Sequence, residues 1–240
     1  MADIQFESDL LNYIIKNGYQ PGDRLPTISE LQDADNLGIS VSKVREQLEV
    51  ARALGLVEVR SKTGTRLKEY SFTPAVRLSL FFALATDLRY FEYFSTLRTH
   101  LEMTFWHEAC GLLTPEDHCE LRGYIEAARG KLSAARIRIP TEEHRAFHLT
   151  IFKHLENPFV IGLLEAYWDA YEAVELNRYA DYGYHKLVWD YHERILDGIC
   201  AGDYDAAQDA FMKHTRLLHH QPRMQDMEHL AEMVESKVTE

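Results

Sequence analysis

Residues 21–67 read PGDRLPTISELQDADNLGISVSKVREQLEVARALGLVEVRSKTGTRL. Two short amphipathic helices flank a tight turn at Leu37-Gly38-Ile39-Ser40, and a small hairpin follows with Gly64 near its tip. That order of elements is a winged helix-turn-helix, a device used mainly to put one helix into the DNA major groove. The local chemistry agrees. Thr27-Ile28-Ser29-Glu30 fits a capping box, in which Thr27 accepts from the Glu30 amide and the Glu30 carboxylate reaches back. Gly38 suits a positive-φ position closing the first helix, and Ser40 is the N-cap candidate of the second. Val41, Val44, Leu48 and Ala51 share one face at helical spacing, which leaves Ser42, Lys43 and Glu46 to solvent or DNA. Gly55 stops the helix, and segments 56–59 and 65–68 can pair as the wing.

From Ile39 to Lys68 there are seven basic and three acidic residues, a local charge of +4 inside a chain of −12. Phosphate attraction supplies most non-specific DNA affinity, so a basic island is what such a module needs. A generic three-helix domain with a solvated basic face is the plain alternative.

The run PGDRLP, then a helix, then GISVSKVREQLEVARALGLVEVRSKTGTRL, resembles the N-terminal domain of GntR-family bacterial repressors over residues 1 to about 68. The resemblance implies a DNA contact from Arg45 and a close approach of Gly64 to the minor groove. It departs at Ser29 and Val41, where the family usually has arginines that touch DNA, so those contacts do not carry over. The candidate DNA contacts are Arg24, Thr27, Ser40, Ser42 and Lys43, with Arg45, Lys62, Gly64 and Arg66 completing the set.

A length of 240 residues suits two domains, and 46% hydrophobic content suffices for a core without staples. Cys110, Cys119 and Cys200 form no paired spacing and read as reduced residues of a cytoplasmic protein. The N-terminal MADIQFESDLLNYIIKNG is an acidic amphipathic helix without the build of a signal peptide, and no apolar run approaches the ~20 residues of a membrane span. No membrane partner is expected. Residues 1–70 carry nine basic and eleven acidic groups, a net of −2, so −10 of the −12 lies beyond them. An acidic body of that kind is suited to dimerisation or ligand binding rather than to DNA.

From Thr73 onward the pattern is helical, with helices expected over 74–86, 88–111, 115–134, 141–154, 157–178, 184–201 and 203–220. The expected fold is mainly α: a winged helix-turn-helix over 1–70, an antiparallel bundle of six or seven helices over 71–222, and a polar tail over 223–240.

Four of the twelve histidines have a suggestive layout. His144 and His148 are one turn apart on one helix face, while His192 and His214 each lie on a helix of their own. Three neighbouring helices could turn all four toward one ion, and imidazole suits Zn, Ni, Cu, Fe or Co. A histidine beside aromatics such as Phe147 or Tyr191 is otherwise an ordinary core residue. The layout also resembles the all-helical FCD domain found in the FadR branch of the GntR family. There His148, His192 and His214 match three metal-ligand histidines, while His144 stands where the family usually has Asp. The resemblance implies a divalent transition metal such as Zn or Ni, held here by an all-imidazole set that favours borderline metals. It also implies that Arg98, in the family's R-x-x-L/V-E pattern with Glu102, helps hold a carboxylate. Without the resemblance, Arg98 reads as a surface residue paired with Glu102. Tyr167, Trp168, Tyr171, Tyr179, Tyr182 and Tyr184 either line a pocket or pack a core.

The function implied is a homodimeric, ligand-responsive transcription regulator, acting as a repressor on a pseudo-palindromic operator and sensing a small carboxylate through a His-bound metal. Two other readings stand beside it. One is a regulator that binds an acyl or apolar ligand without metal. The other is a His-rich helical metalloenzyme, against which Arg-Ala-Phe between His144 and His148 offers no catalytic base.

Overall fold

The computed structural model describes residues 4–33, 35–60, 64–174 and 182–217. Among them are α1 (Asp9–Lys16), α2 (Ile28–Gln32), α3 (Val41–Ala53), β1 (Val57–Arg60), β2 (Gly64–Leu67), α4 (Thr73–Thr86), α5 (Arg89–Gly111), α6 (Pro115–Ser133), α7 (Thr141–Phe152), α8 (Pro158–Ala173), α9 (Tyr182–Ala201) and α10 (Tyr204–Leu217). The fold is the mainly α one expected, a winged helix followed by seven helices. Lys62, Tyr179 and the expected tail lie outside the described residues. The chain forms two compact units: Met1–Arg98 with Glu156–Ala170, and Thr99–Leu155 with Tyr171–Glu240.

The winged helix in the first unit is built on Leu10, Ile14, Leu25, Leu31, Val44, Leu48, Ala51 and Val57, all buried. The first helix starts later than its amphipathic pattern suggests, because the Ser8 hydroxyl accepts from the Leu11 amide and caps it there. Gln47 of α3 is buried beneath that cap. Its side-chain oxygen accepts from the Leu10 amide at 2.8 Å and from the Ser8 hydroxyl at 3.2 Å, and its Nε2 donates to Asp9 at 3.0 Å. One side chain of α3 thereby satisfies donors at the start of α1. Gln47→Leu is expected to cost about 2 kcal/mol in urea unfolding, since it strands a buried amide; a loss under about 0.5 kcal/mol would refute this role.

The Thr27–Glu30 capping box forms, and its hydrogen bonds from Thr27 hold the Glu30 carboxyl below its usual range. The helix it starts is short. Asn36 donates its side-chain amide to the Glu30 carbonyl at 2.6 Å and the Leu37 amide returns to Leu31, so the turn begins at Asp33. Gly38, with φ +65, lies further along this turn rather than at the helix end. The wing pairs Val57 with Leu67 and Arg60 with Gly64.

Two glycines seat α4. A Cβ on Gly55, at the end of α3, would lie 2.5 Å from the Pro74 ring, and a Cβ on Gly162 in α8 would lie 2.8 Å from the Thr73 backbone nitrogen. Thr73 also donates its hydroxyl to Glu165, and Arg77 pairs with Asp169 at 3.4 Å.

In the second unit α9 packs against α10 and α6, and α6 against α7. Leu121, Ile125, Ala128 and Leu132 line the buried stripe of α6. Gly198 lets Ala207 approach so closely that a Cβ would meet the Ala207 nitrogen at 2.9 Å. Trp106 is fully buried against Phe211 and donates Nε1–H to the Tyr204 carbonyl at 3.0 Å. Asp203 caps α10 through the Ala206 amide, as its position in the sequence suggests. Burial pushes the Cys110 thiol up to about 12, so that sulfur stays protonated.

Asp117, third residue of α6, closes a capping box with Thr114 and is buried against Lys153 at 2.5 Å and His154 at 2.8 Å. Burial would raise its carboxyl, but Lys153, the Thr114 amide and His154 together outweigh that and hold it far below the ordinary value of 3.8. A group whose folded-state pKa is depressed gives its full stability above the unfolded value and loses it as pH falls toward the folded one. Asp117→Asn is therefore expected to flatten the acid limb of unfolding below pH ~4 and to cost about 2 kcal/mol at neutral pH, less than a fully buried pair because Lys153 and His154 are partly exposed. An acid limb that stays unchanged would contradict the brace.

Candidate functional site

Helix α3 presents Ser42, Lys43, Arg45 and Glu46 outward, while Val44, Gln47, Leu48 and Ala51 face the core. Ser40 caps it by accepting from the Lys43 amide. The hydroxyls of Thr27 and Ser40 thus accept cap bonds and retain their protons for donation, while both residues stay exposed. Lys43 pairs with Glu46 at 3.1 Å, and both are exposed. The Arg66 guanidinium of the wing donates to the Gly22 carbonyl at 2.6 Å, and the Arg66 backbone pairs antiparallel with that of Arg24. Gly64, at φ +80, lies where a Cβ would come within 3.0 Å of the Arg24 guanidinium, so the glycine brings wing and arginine together. The exposed side chains of α3 are the ones its helical spacing predicts, but Gln47 was missed, because its polar side chain looks like another surface residue until α1 is laid across it.

The four histidines converge in the second unit. His144, His148, His192 and His214 are all buried, and their ligand nitrogens lie within 4.8 Å of one another. The Nε2 atoms of His144 and His214 are 3.3 Å apart, those of His148 and His214 3.2 Å, and those of His192 and His148 3.1 Å. Nitrogens about 2.0–2.1 Å from a tetrahedral metal stand about 3.3 Å apart, so this donor set fits a transition-metal ion. The partner at the far ring nitrogen fixes which nitrogen faces inward. His192 Nδ1 donates to the Val188 carbonyl at 2.8 Å, leaving its Nε2 lone pair for the cluster. The Glu102 carboxylate lies 3.8 Å from His148 Nδ1, with both side chains fully buried. Such outer partners orient metal-ligating imidazoles and raise their basicity. Aromatic rings hold the imidazoles in place: Trp189 stacks on His192 at 4.5 Å and Phe147 meets it edge-on at 4.5 Å.

His185, which sequence reading passed over, is buried on α9 and lines a cavity of about 10 Å³ with His144, Tyr184 and Trp189. That is room for one water-sized atom. Its signal was the spacing to His192, seven residues and two turns along the same helix.

Arg98, in the first unit, is buried rather than on the surface. Its guanidinium sits 4.7 Å from the Tyr167 ring and 5.4 Å from that of Trp168. Tyr167, Trp168 and Tyr171 are buried, whereas Tyr182 is half exposed. No described helix is long and apolar enough to cross a membrane.

A winged helix with a basic outer face, followed by a helical body that gathers four imidazoles, defines a DNA-binding transcription regulator. The model of bacterial regulatory proteins of the gntR family matches residues 5–67, and that of the FCD domain matches residues 94–217, just over half of the chain. The chain belongs to the GntR family and carries an FCD domain. It is similar to the HTH-type transcriptional regulator LutR of Bacillus subtilis, 27% identical over 210 residues that cover 84% of this chain and 92% of LutR. It is likewise similar to the Uxu operon transcriptional regulator of Escherichia coli K12, 27% identical over 206 residues, 84% of this chain and 79% of that one. The solved structure of Streptococcus agalactiae GntR shares its fold, with a TM-score of 0.64 at 21% identity, covering 89% of this chain and 96% of that chain. Family and relatives are regulators rather than enzymes. GntR regulators bind DNA and small-molecule effectors.

Proposed function

We propose that this chain is a metal-dependent sensor of a small carboxylate that represses transcription until the effector binds. The observation that carries the reading is the group of four buried imidazoles with neighbouring Nε2 atoms 3.1–3.3 Å apart. His144, His148, His192 and His214 would hold a divalent transition ion such as Zn or Ni. The ion would supply a Lewis-acidic point at which an anionic oxygen can bind. Glu102 orients His148. Arg98 takes a carboxylate of the effector, for which a buried guanidinium fork is the matching partner. Residues 1–70 act as the DNA-binding head and 71–222 as the effector and dimerisation body, with the polar tail following. Two copies set α3 of each head into one half of a pseudo-palindromic operator, with Arg24, Ser42, Lys43, Arg45 and Arg66 near phosphates and base edges.

The test is DNA affinity, measured by fluorescence anisotropy on a site selected from random duplexes. With zinc or nickel bound, a panel of small mono- and dicarboxylates is expected to include one that changes the affinity by ~5–150-fold. Chelator-stripped protein is expected to bind the same DNA and ignore the panel. An effector response that survives stripping would rule out the metal's part in sensing.

A further inference from the structure

An imidazole that turns one ring nitrogen toward a metal needs a partner for the other. His192 has the Val188 carbonyl, 2.8 Å from its Nδ1, and His148 has the Glu102 carboxylate, 3.8 Å from its Nδ1. His144 points its Nε2 at that of His214, 3.3 Å away, which leaves its Nδ1 on the other side of the ring. The cavity of about 10 Å³ that His144 lines is also lined by His185. Both imidazoles are buried, and the rest of the wall is mostly apolar, with Ile139, Pro140, Val188 and Trp189. All of these residues belong to the second unit.

A buried imidazole among apolar neighbours is costly unless it hydrogen-bonds. A leucine at this place would pack against the same wall without that cost. Spacing gives the direction. His185 lies seven residues before His192 on α9, so both stand on one face of the helix, the face that brings His192 to His148 of α7. Between them Trp189 stacks on His192 and meets His144 edge-on at 6.2 Å.

We infer that His185 is a positioning residue for His144, acting through one water held in this cavity. The water accepts from His144 Nδ1–H and donates to a ring nitrogen of His185. The cavity is about the size of one water, and the two imidazoles with Tyr184 beside them supply the ~2–4 polar partners that a buried water takes. Held in this way, His144 keeps the tautomer whose Nε2 lone pair faces the cluster, as Val188 keeps that of His192. The inference rests on the reading of the cluster as a metal centre, to which it adds a fifth histidine outside the ligand set.

Cobalt(II), whose visible absorption reports its coordination, is the probe, titrated into metal-stripped full-length protein. His185→Leu is expected to weaken cobalt binding ~10–100-fold and to shift the absorption bands, whereas His185→Gln, whose amide oxygen accepts the same hydrogen bond, is expected to stay within about threefold of the wild type. Crystals of the zinc-loaded wild type test the inference without a variant: one ordered water is expected within hydrogen-bond reach of both His144 Nδ1 and His185. A glutamine variant that loses as much affinity as the leucine one would mean packing alone and overturn the positioning role. So would a leucine variant with the affinity and bands of the wild type, or a water that touches only one imidazole. These results leave the metal reading intact. A wild type that takes up no cobalt overturns the metal reading and this inference together.

Discussion

Replacing His192 with alanine is expected to weaken transition-metal binding at least a thousandfold and to abolish the thermal stabilisation that added metal gives the wild type. The residue is fully buried and holds its Nε2 3.1 Å from His148, with the opposite nitrogen tied to Val188. Removing it would take away one proposed ligand and the stacking partner of Trp189 at once. A ligand that binds only the folded chain stabilises it by about 4 kcal/mol when its free concentration is ~1,000 times Kd. For a chain of this size that is a rise of roughly 10 °C in Tm. Scanning calorimetry of stripped and zinc-loaded protein reads both effects. An equal upward shift in wild type and His192→Ala would place the metal elsewhere.

The second large effect is expected at Gly162. Here α8 runs against the backbone of Phe72 and Thr73, and the atoms that a Cβ would meet at 2.8 Å include the Thr73 nitrogen, which cannot swing aside as a flexible side chain would. Gly162→Val must push the start of α4 off α8, breaking the Thr73–Glu165 hydrogen bond and loosening the Arg77–Asp169 pair. Overpacking of this kind costs about 3 kcal/mol or more. Gly55 is the same seat seen from α3. It carries φ +75 as well as the Pro74 contact, so a side chain there meets strain and collision together. Urea midpoints of Gly162→Val and Gly162→Ala give the measurement, and a loss under 1 kcal/mol for valine would mean that the seat is looser than drawn.

What the sequence made legible was whatever a local rule governs. The Thr27–Glu30 box, the Ser40 cap, and the ends of α4 to α7 within a few residues all follow from spacing and capping chemistry. The four histidines were legible because helical periodicity set His144 and His148 on one face and the family pattern supplied the other two. What stayed hidden depends on which elements come together in space. Gln47 reads as one polar residue among many until it meets the start of α1. Asp117 looks like an ordinary first-turn acid until Lys153 and His154 reach it from the end of α7 and beyond. The end of α2 was missed because Asn36, four residues past it, takes the Glu30 carbonyl by its side chain. The seat at Gly162 leaves no trace in any periodicity, because it is made by the absence of a side chain.

Elemental analysis of the dialysed full-length chain decides whether the imidazole cluster holds a metal. About one transition-metal ion per chain is expected in the wild type, with a near-complete loss in the His148→Ala, His192→Ala double variant. No metal in the wild type, even after incubation with zinc or nickel, would contradict the account and leave a DNA-binding regulator whose effector domain works without one.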